Sequence, residues 1–563
     1  MAAPETRGTP PSTRALAGLF ALALAVRLLA LAELAGSPWS VLPLGDARAY
    51  DQWARELAGG AWLGSEVFYQ APLYPYLLGV VYALLGPAPG VVRVAQCLLG
   101  ALAAVWVARG TARFASPRAA LLAGGVMALY APAIWYDLQL EKTSLATSLT
   151  AWLFCTAATR GSGSGWRAPL AAGVGLGALA LLRENALVLA LPLGWAFAGG
   201  VQEHRKRLVA FAAGMALCLV PVAARNLAVG GVPLPTASNA GVNFYIGNGA
   251  EADGQYRPLV AGRGHAQHER ADAERIAEEL AGRPLSAVGV SRFWLALALR
   301  EIAEEPGHLA WVLAQKLRLL AHRGEIMDAV ALEVFADESV VLRALGWCGF
   351  GLLLPLALAG AVLAWRRPGT GPALAAAALL ALSIVAFFVV GRFRLGLVPF
   401  LCPFAGLALL EGARSARPGA TLGALAIGGL LAWWPLPTEG DPRATSFSNL
   451  ASEGLRRGDH AAAERWAREA WRLDPRSADA AFNLGASLRA QGELQEAVGP
   501  YEAAMELEPA YAADCLAELG AIRALSGDPE GARTLLERAL ALDPRHAGAL
   551  RFLAALEARA RSE

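Results

Sequence analysis

Long apolar runs, separated by short arginine-bearing turns, recur through the first 436 residues, and this alternation constrains the fold more than any other feature of the chain. A hydrocarbon core about 30 Å thick takes about 20 helical residues to cross, and shorter helices come close to spanning where they pack inside protein. Runs meeting one or other condition fall near residues 14–35, 91–109, 118–136, 143–159, 168–182, 186–200, 208–225, 341–364, 372–390, 396–411 and 420–436, so eleven spans are expected. A twelfth stretch, "PLYPYLLGVVYALLG" at 72–86, is fifteen residues long and punctuated by proline.

The arginines decide how that stretch is read. Cytoplasmic loops are enriched in Lys and Arg. The basic segments here are the N-terminus (Arg7, Arg14), Arg109 with Arg113 and Arg118, Arg160 with Arg167, "HRKR" at 204–207, Arg366 with Arg367, and Arg414 with Arg417. They fall at every second loop only if 72–86 does not span, so it is read as a re-entrant or interfacial helix inside one outward loop, 36–90. The topology makes residues 1–13 cytoplasmic and residues 14–436 a membrane domain. It turns outward a second long loop (226–340), "YDLQLEK" at 136–142, "RENA" at 183–186, "GRFR" at 391–394 and everything after 436. In a bacterial arrangement the membrane is the inner one and the outside is the periplasm. The first apolar run lacks a small-residue cleavage site and reads as an anchor.

Composition agrees with the pattern. At 56% hydrophobic and 17% charged residues over 563 positions, the chain is too apolar for a soluble enzyme of its length. A net charge of +2 carries no nucleic-acid footprint. The six cysteines show neither a disulfide framework nor a zinc spacing.

Past a linker at 437–444 the chain changes character. Pro475, Pro509 and Pro544 stand 34 and 35 residues apart, each preceded at twelve and at five residues by alanine: Ala463 and Ala470, Ala497 and Ala504, Ala532 and Ala539. Leu450–Ala451, Leu484–Gly485 and Leu519–Gly520 occupy the matching close-approach positions. This is a repeat of helical hairpins that resembles tetratricopeptide repeats over 445–563, with "AGALRFLAALEARA" as its cap. Such an α-solenoid offers a concave face to a protein partner.

Several polar residues stand out on the outward side. Asp46 opens a helical pattern after "PLG", with Tyr50 and Trp53 at i+4 and i+7; Asp51, five residues on, does not share its face. Asp137, Glu141 and Lys142 open a membrane segment, where ionisable groups are costly enough to suggest a task, although acids also simply cap helix N-termini. His265, His268 and Asp272 have the i, i+3, i+7 spacing of helix-borne metal ligands, but the pattern suits a polar surface helix better and no metal site is assigned. Asn239, Asn243 and Asn248 lie among glycines in a loop suited to sugar hydroxyls or merely to turning the chain.

The succession "GDARAYDQWARELAGGAW…FYQAPLYPYLLGVVYALLG…VVRVAQCLLGALAAVWVARGTARF", with "RNLAVGGVPLPTASNAGVNFYIGN", "FWLALALREIAEEPGHLAWVLAQKLRLL" and "GRFRLGLVPFLCPFAGLAL" further on, resembles the GT-C membrane glycosyltransferases across about residues 15–412. Within them it is most similar to family 39, the dolichyl-phosphate-mannose-protein mannosyltransferase-like and lipid A aminoarabinose transferase-like enzymes. The resemblance implies an all-α polytopic fold and an inverting transfer of sugar from a polyprenyl-phosphate donor at the outer face. It also implies that Asp46 is the general base, with Glu141, or alternatively Asp137, as a second acid. A carboxylate placed to take the proton of an acceptor hydroxyl is what such a displacement needs.

A lipid phosphate leaving group calls for cations, and Lys316, Arg392 and Arg394 are the donor-phosphate candidates; Arg318 and His322 lie beside the first of these. Tyr50, Asn243 and Glu325 are candidates for the substrate loops. No cofactor is required, though a divalent cation is compatible; lipid, glycan and protein acceptors all fit. The contrasting readings are a non-enzymatic membrane scaffold for the repeats and a transporter. The transporter lacks the repeat symmetry expected of it, and the scaffold leaves the gathering of charge on one face unexplained.

Overall fold

The computed structural model describes residues 8–160, 165–197, 201–260, 266–436 and 440–562, and every regular element among them is helical. This is the all-α class expected. Two compact units result: Met1–Arg257, Ala266–Asp328 and Phe335–Leu436 form the first, and Pro258–His265, Ala329–Val334 and Pro437–Glu563 the second.

In the first unit Thr13–Glu33, Pro89–Thr111, His204–Gly230 and Val340–Ala364 are long and apolar enough to cross a membrane. Pro117–Leu129 and Ala131–Asp137 add a fifth span if taken together, with a 52° bend between them. The bend has a local cause: Tyr130 leaves the helical conformation (ψ 103°), and Pro132 has no amide hydrogen to continue the ladder. Other expected spans are shorter helices, namely Arg167–Ala180, Glu184–Phe197, Gly371–Val385 and Pro418–Trp433. The chain is a multi-pass membrane protein whose long and short helices pack together. The 72–86 stretch forms the helix Leu73–Leu85, whose 13 residues reach about 20 Å, well short of the hydrocarbon thickness.

Small residues set the helix crossings. A β-carbon on Gly173 would strike the Phe211 carbonyl, and one on Gly177 would lie 2.8 Å from the Cβ of Cys218, so Arg167–Ala180 and Val201–Gly230 touch nearly backbone to backbone. Elsewhere a buried ion pair and its hydrogen bonds bind four helices. Arg27 donates its Nε to Asp137 Oδ2 at 2.7 Å and its Nη1 to the Ala128 carbonyl at 2.9 Å, while the Ser144 hydroxyl donates to the other Asp137 oxygen. Gly100 leaves the space, because a side chain there would collide with the Asp137 carboxylate. Charges at this depth persist because each neutralises the other. Gln96, which accepts from the Tyr74 hydroxyl at 2.6 Å, donates to the carbonyls of Asp137 and Gln139 at 3.0 and 2.6 Å and so fixes the turn leading to Glu141.

The helix Asp46–Ala58 buries Tyr50, Ala54 and Leu57, at i, i+4 and i+7, against Leu73–Leu85. Gly79 is the contact point, since a β-carbon there would lie 2.8 Å from that of Leu57. Asp51 accepts from Arg55 at 2.7 Å and from the Tyr82 hydroxyl at 2.7 Å, fastening the two helices together.

The second unit contains the hairpins Pro442–Arg457 with His460–Leu473, Ala478–Gln491 with Leu494–Leu507, and Ala512–Leu525 with Pro529–Leu542, followed by Ala547–Ser562. Its first helix begins inside the stretch read as a linker. Ala463, Ala470, Ala497, Ala504, Ala532 and Ala539 are fully buried, and Gly485 and Gly520 receive the Tyr501 ring and the Leu536 side chain. Gly458 and Gly492, at φ +78° and +86°, end the first helix of two hairpins in the left-handed conformation that glycine tolerates. Ala329–Val334 belongs to this unit: Ser446 Oγ accepts from the Ala331 amide at 2.9 Å, and Asn449 Nδ2 donates to the Ala329 carbonyl at 2.6 Å.

Candidate active site

Gly45, at φ +54°, turns the chain so that Asp46 takes the first helical position, where unpaired amides favour negative charge. Facing it is Arg392, in the short turn Gly391–Arg394. That turn is seated by backbone and side chain alike. The Gly391 amide donates to the Ile326 carbonyl at 2.8 Å, and Arg394 donates to the carbonyls of His322 and Gly324, pairs with Glu325 at 3.1 Å, and lies 4.7 Å from the Phe350 ring centroid. The segment 322–328 is thereby held beside Arg392.

Three carboxylates converge on one nitrogen. Arg392 Nη1 donates to Asp46 Oδ2, lies 2.8 Å from Asp328 Oδ2, and stands 3.7 Å from Glu141 Oε2. Tyr50, fully buried, donates its hydroxyl to Asp46 at 3.3 Å, and Lys142 Nζ sits 5.7 Å from the centroid of its ring. Arg183, three residues beyond the end of Arg167–Ala180, donates Nη2 to the Thr143 hydroxyl at 2.5 Å; it and Arg392 lie 5.0 and 5.6 Å from the Phe393 ring centroid. Two buried donors here, Arg183 Nη1 and Arg392 Nε, have no hydrogen-bond partner among the described residues. A buried guanidinium hydrogen without an acceptor is costly, and an anionic group is the kind of acceptor each lacks.

The charges are unequal in effect. Burial would raise the Asp46 carboxyl, but Arg392 and Lys142 outweigh it and hold the group at about 2. Burial prevails at Glu141 and Asp328, which are raised above the usual carboxylate range even though Arg392 pulls each down. Lys142 and Arg183 are lowered, by burial first, with the charge of Arg183 adding to it at Lys142 and that of Arg392 at Arg183. One cation cannot satisfy three acids equally, and the cluster titrates as a unit with Asp46 as its most firmly ionised member.

The residues singled out in the sequence divide accordingly. Asp46, Tyr50, Glu141 and Arg392 meet. Asp137 does not join them, because its carboxylate is taken by Arg27 and Ser144. Arg394 and Glu325 are paired with each other, and the main donors of Arg394 go to backbone carbonyls. Lys316 is fully buried with Nζ donating to Asn248 Oδ1 at 2.8 Å, and burial alone lowers it to about 8. Asn243 is half-buried on Ala240–Asn248. His265 lies outside the described residues, and Asp272 is buried 3.5 Å from Arg275; no carboxylate, His and Cys grouping suited to a metal occurs among the described residues. Asp328 and Arg183 complete the cluster without having been singled out, and the signal was present for both. Asp328 is a lone acid between "IM" and "AVA", and Arg183 is a cation that ends an apolar run.

Residues 69–225 match the sequence model of the family described as dolichyl-phosphate-mannose-protein mannosyltransferase. No curated protein matches the chain. Among solved structures, the oligosaccharyltransferase of Archaeoglobus fulgidus in its apo form is similar at 17% identity, over 81% of this chain and 58% of that one, with a TM-score of 0.38. YrrB, a TPR protein with an unusual peptide-binding site, is similar at 18% identity over 40% of this chain and 92% of its own, with a TM-score of 0.19. The chain thus spans about 58% of the oligosaccharyltransferase's length. Residues 69–225 are thus similar to the dolichyl-phosphate-mannose-protein mannosyltransferase family, within a multi-pass membrane protein that also carries an array of tetratricopeptide-like helical hairpins.

Proposed function

We propose that the protein transfers a sugar from a polyprenyl-phosphate donor to an acceptor hydroxyl on a lipid, glycan or protein at the periplasmic face of a bacterial inner membrane. The observation that carries this reading is the pairing of Asp46 with Arg392 beside the unfilled donors Arg183 Nη1 and Arg392 Nε. Asp46 takes the acceptor proton as the acceptor oxygen bonds to the anomeric carbon. The bond from that carbon to the phosphate oxygen breaks, the lipid phosphate leaves with the electron pair, and the centre inverts. Arg392 and Arg183, with Lys142 near them, neutralise the leaving phosphate. Glu141 is the second acid, and Tyr50 orients the base. The step calls for no cofactor, and activity is expected to survive chelation of divalent ions.

A carboxylate held at about 2 is a weak base at neutral pH. The charge arrangement resolves this. A donor phosphate that engages Arg392 competes with Asp46 for its strongest counter-charge, so the basicity of Asp46 rises only when donor is present. The test is transfer of radiolabelled sugar from polyprenyl-phosphate donors in membranes containing wild type or Asp46→Asn. Asp46→Asn is expected to lose at least a hundredfold in rate, within the range for a general base; equal activity sinks the assignment.

A further inference from the structure

The two long outward loops are joined at one carboxylate that the scheme above leaves unused. Glu269, on the helix Ala266–Ala281, accepts from the Tyr69 hydroxyl with Oε1 at 2.8 Å and from the Tyr256 hydroxyl with Oε2 at 2.7 Å. Tyr69 belongs to the first loop and the other two residues to the second, so a single side chain closes a bridge between segments 200 residues apart. Its neighbour Arg270 reinforces the bridge, pairing with Glu66 at 2.5 Å and lying 5.9 Å from the Tyr69 ring centroid. That outer pair is partly exposed and adds little. The tyrosines carry the bridge to the reacting groups by two routes. Gln70, the residue after Tyr69, hydrogen-bonds the Asp46 carboxylate. The Tyr256 ring packs 5.5 Å from Phe388, which lies 5.6 Å from Phe393, the ring against which Arg183 and Arg392 both rest.

We infer that Glu269 is a positioning residue: by holding Tyr69 and Tyr256 on its two oxygens it fixes Gln70 against Asp46 and the Phe388–Phe393 stack under the two arginines. A half-buried carboxylate that satisfies two phenols from different segments restrains both, whereas an amide in its place still accepts from one and donates to the other. An apolar replacement removes the shared acceptor of two half-buried hydroxyls.

This inference rests on the reading of Asp46 as the reacting group, but it is tested without catalysis. Hydrogen exchange followed by mass spectrometry on the full-length protein in detergent is measured for wild type, Glu269→Ala, Glu269→Gln, Gln70→Ala and the double variant Glu269→Ala/Gln70→Ala. In Glu269→Ala, amides of residues 66–72 and of residues 45–50 at the head of the Asp46 helix are expected to exchange about fivefold faster, the equivalent of one lost hydrogen bond. Glu269→Gln restores most of that protection. The double variant exchanges at residues 45–50 no faster than Gln70→Ala alone, because both changes act through one contact. Faster exchange confined to 266–281, or additive effects at 45–50, overturns the inference and leaves the assignment of Asp46 standing. Activity retained in Asp46→Asn removes that assignment without altering any of these exchange rates.

Discussion

Replacing Arg392 with glutamine removes the cation that faces Asp46, Asp328 and Glu141 together. In the native protein Asp46 is held at about 2 against an ordinary 3.8, worth about 2.5 kcal/mol at neutral pH when one unit is about 1.4 kcal/mol. Because this pKa is depressed, the contribution is complete above the unfolded value and is lost as the pH falls from about 4 towards 2. Without the guanidinium the sign reverses. Burial already raises Glu141 and Asp328, and it then raises Asp46 as well. The folded variant therefore favours protonated acids, and its stability declines as the pH climbs through their raised values. Losing the native contribution while stranding buried charge places the destabilisation at roughly 3–5 kcal/mol at pH 7.5, and lower at pH 5, where protonation relieves it. Unfolding of the purified protein in mild detergent, followed by tryptophan fluorescence at both pH values, measures this difference. Arg392→Lys, which keeps the charge but not the planar fork, is expected to fall between wild type and Arg392→Gln. Equal destabilisation at the two pH values, or a loss below about 1 kcal/mol, would refute the account of Arg392 as the common counter-ion.

Lys316→Met is expected to stabilise the protein at pH 7, since burial lowers the ammonium from 10.5 to about 8. For a depressed lysine the penalty is present below the folded value and gone above the unfolded one, so the gain, about 2 kcal/mol after allowing for the lost Asn248 hydrogen bond, disappears by about pH 11. A stabilised variant that retains transfer activity excludes Lys316 from donor binding, and one that loses activity restores it as a candidate. Gly100→Ala drives a methyl group into the Asp137 carboxylate beside Arg27; a drop of about 3 kcal/mol or more in the same unfolding assay is expected, as for a broken buried pair. A compartment-sensitive reporter at the C-terminus should be active on the outer side, and a cytoplasmic signal would require an even number of crossings instead of eleven.

Much of the architecture was written in patterns that survive without tertiary information. Apolar runs and the 34-residue alanine spacing depend only on helical period and close approach, and both appear as helices packed through Gly173, Gly485 and Gly520. Span lengths were less legible, because a proline such as Pro132 divides a run that hydropathy alone reads as continuous. At the site, Asp46 drew notice because it opens a helix and Glu141 because it directly precedes one, each next to an apolar segment. Which of Asp137 and Glu141 faces Arg392 could not be settled from spacing, since it depends on Arg27, 110 residues earlier, claiming Asp137. The donor-binding roles considered for Arg394 and Lys316 rested on charge type alone. Whether an arginine is free for a ligand depends on carbonyls such as those of His322 and Gly324, and carbonyls leave no mark in sequence. Glu269 stood in an ordinary polar helix for the same reason: its importance comes from two tyrosines far along the chain.

The repeat unit is not a blank receptor. Its first helix already holds Ala329–Val334 through Ser446 and Asn449, and this guest is covalently part of the same chain. A peptide or protein arriving at that hairpin therefore competes with a tethered ligand whose effective concentration is on the order of millimolar. The same arithmetic changes what a fragment reports: the isolated segment 437–563 lacks its resident guest, and its first hairpin would take up unrelated peptides that the intact protein turns away.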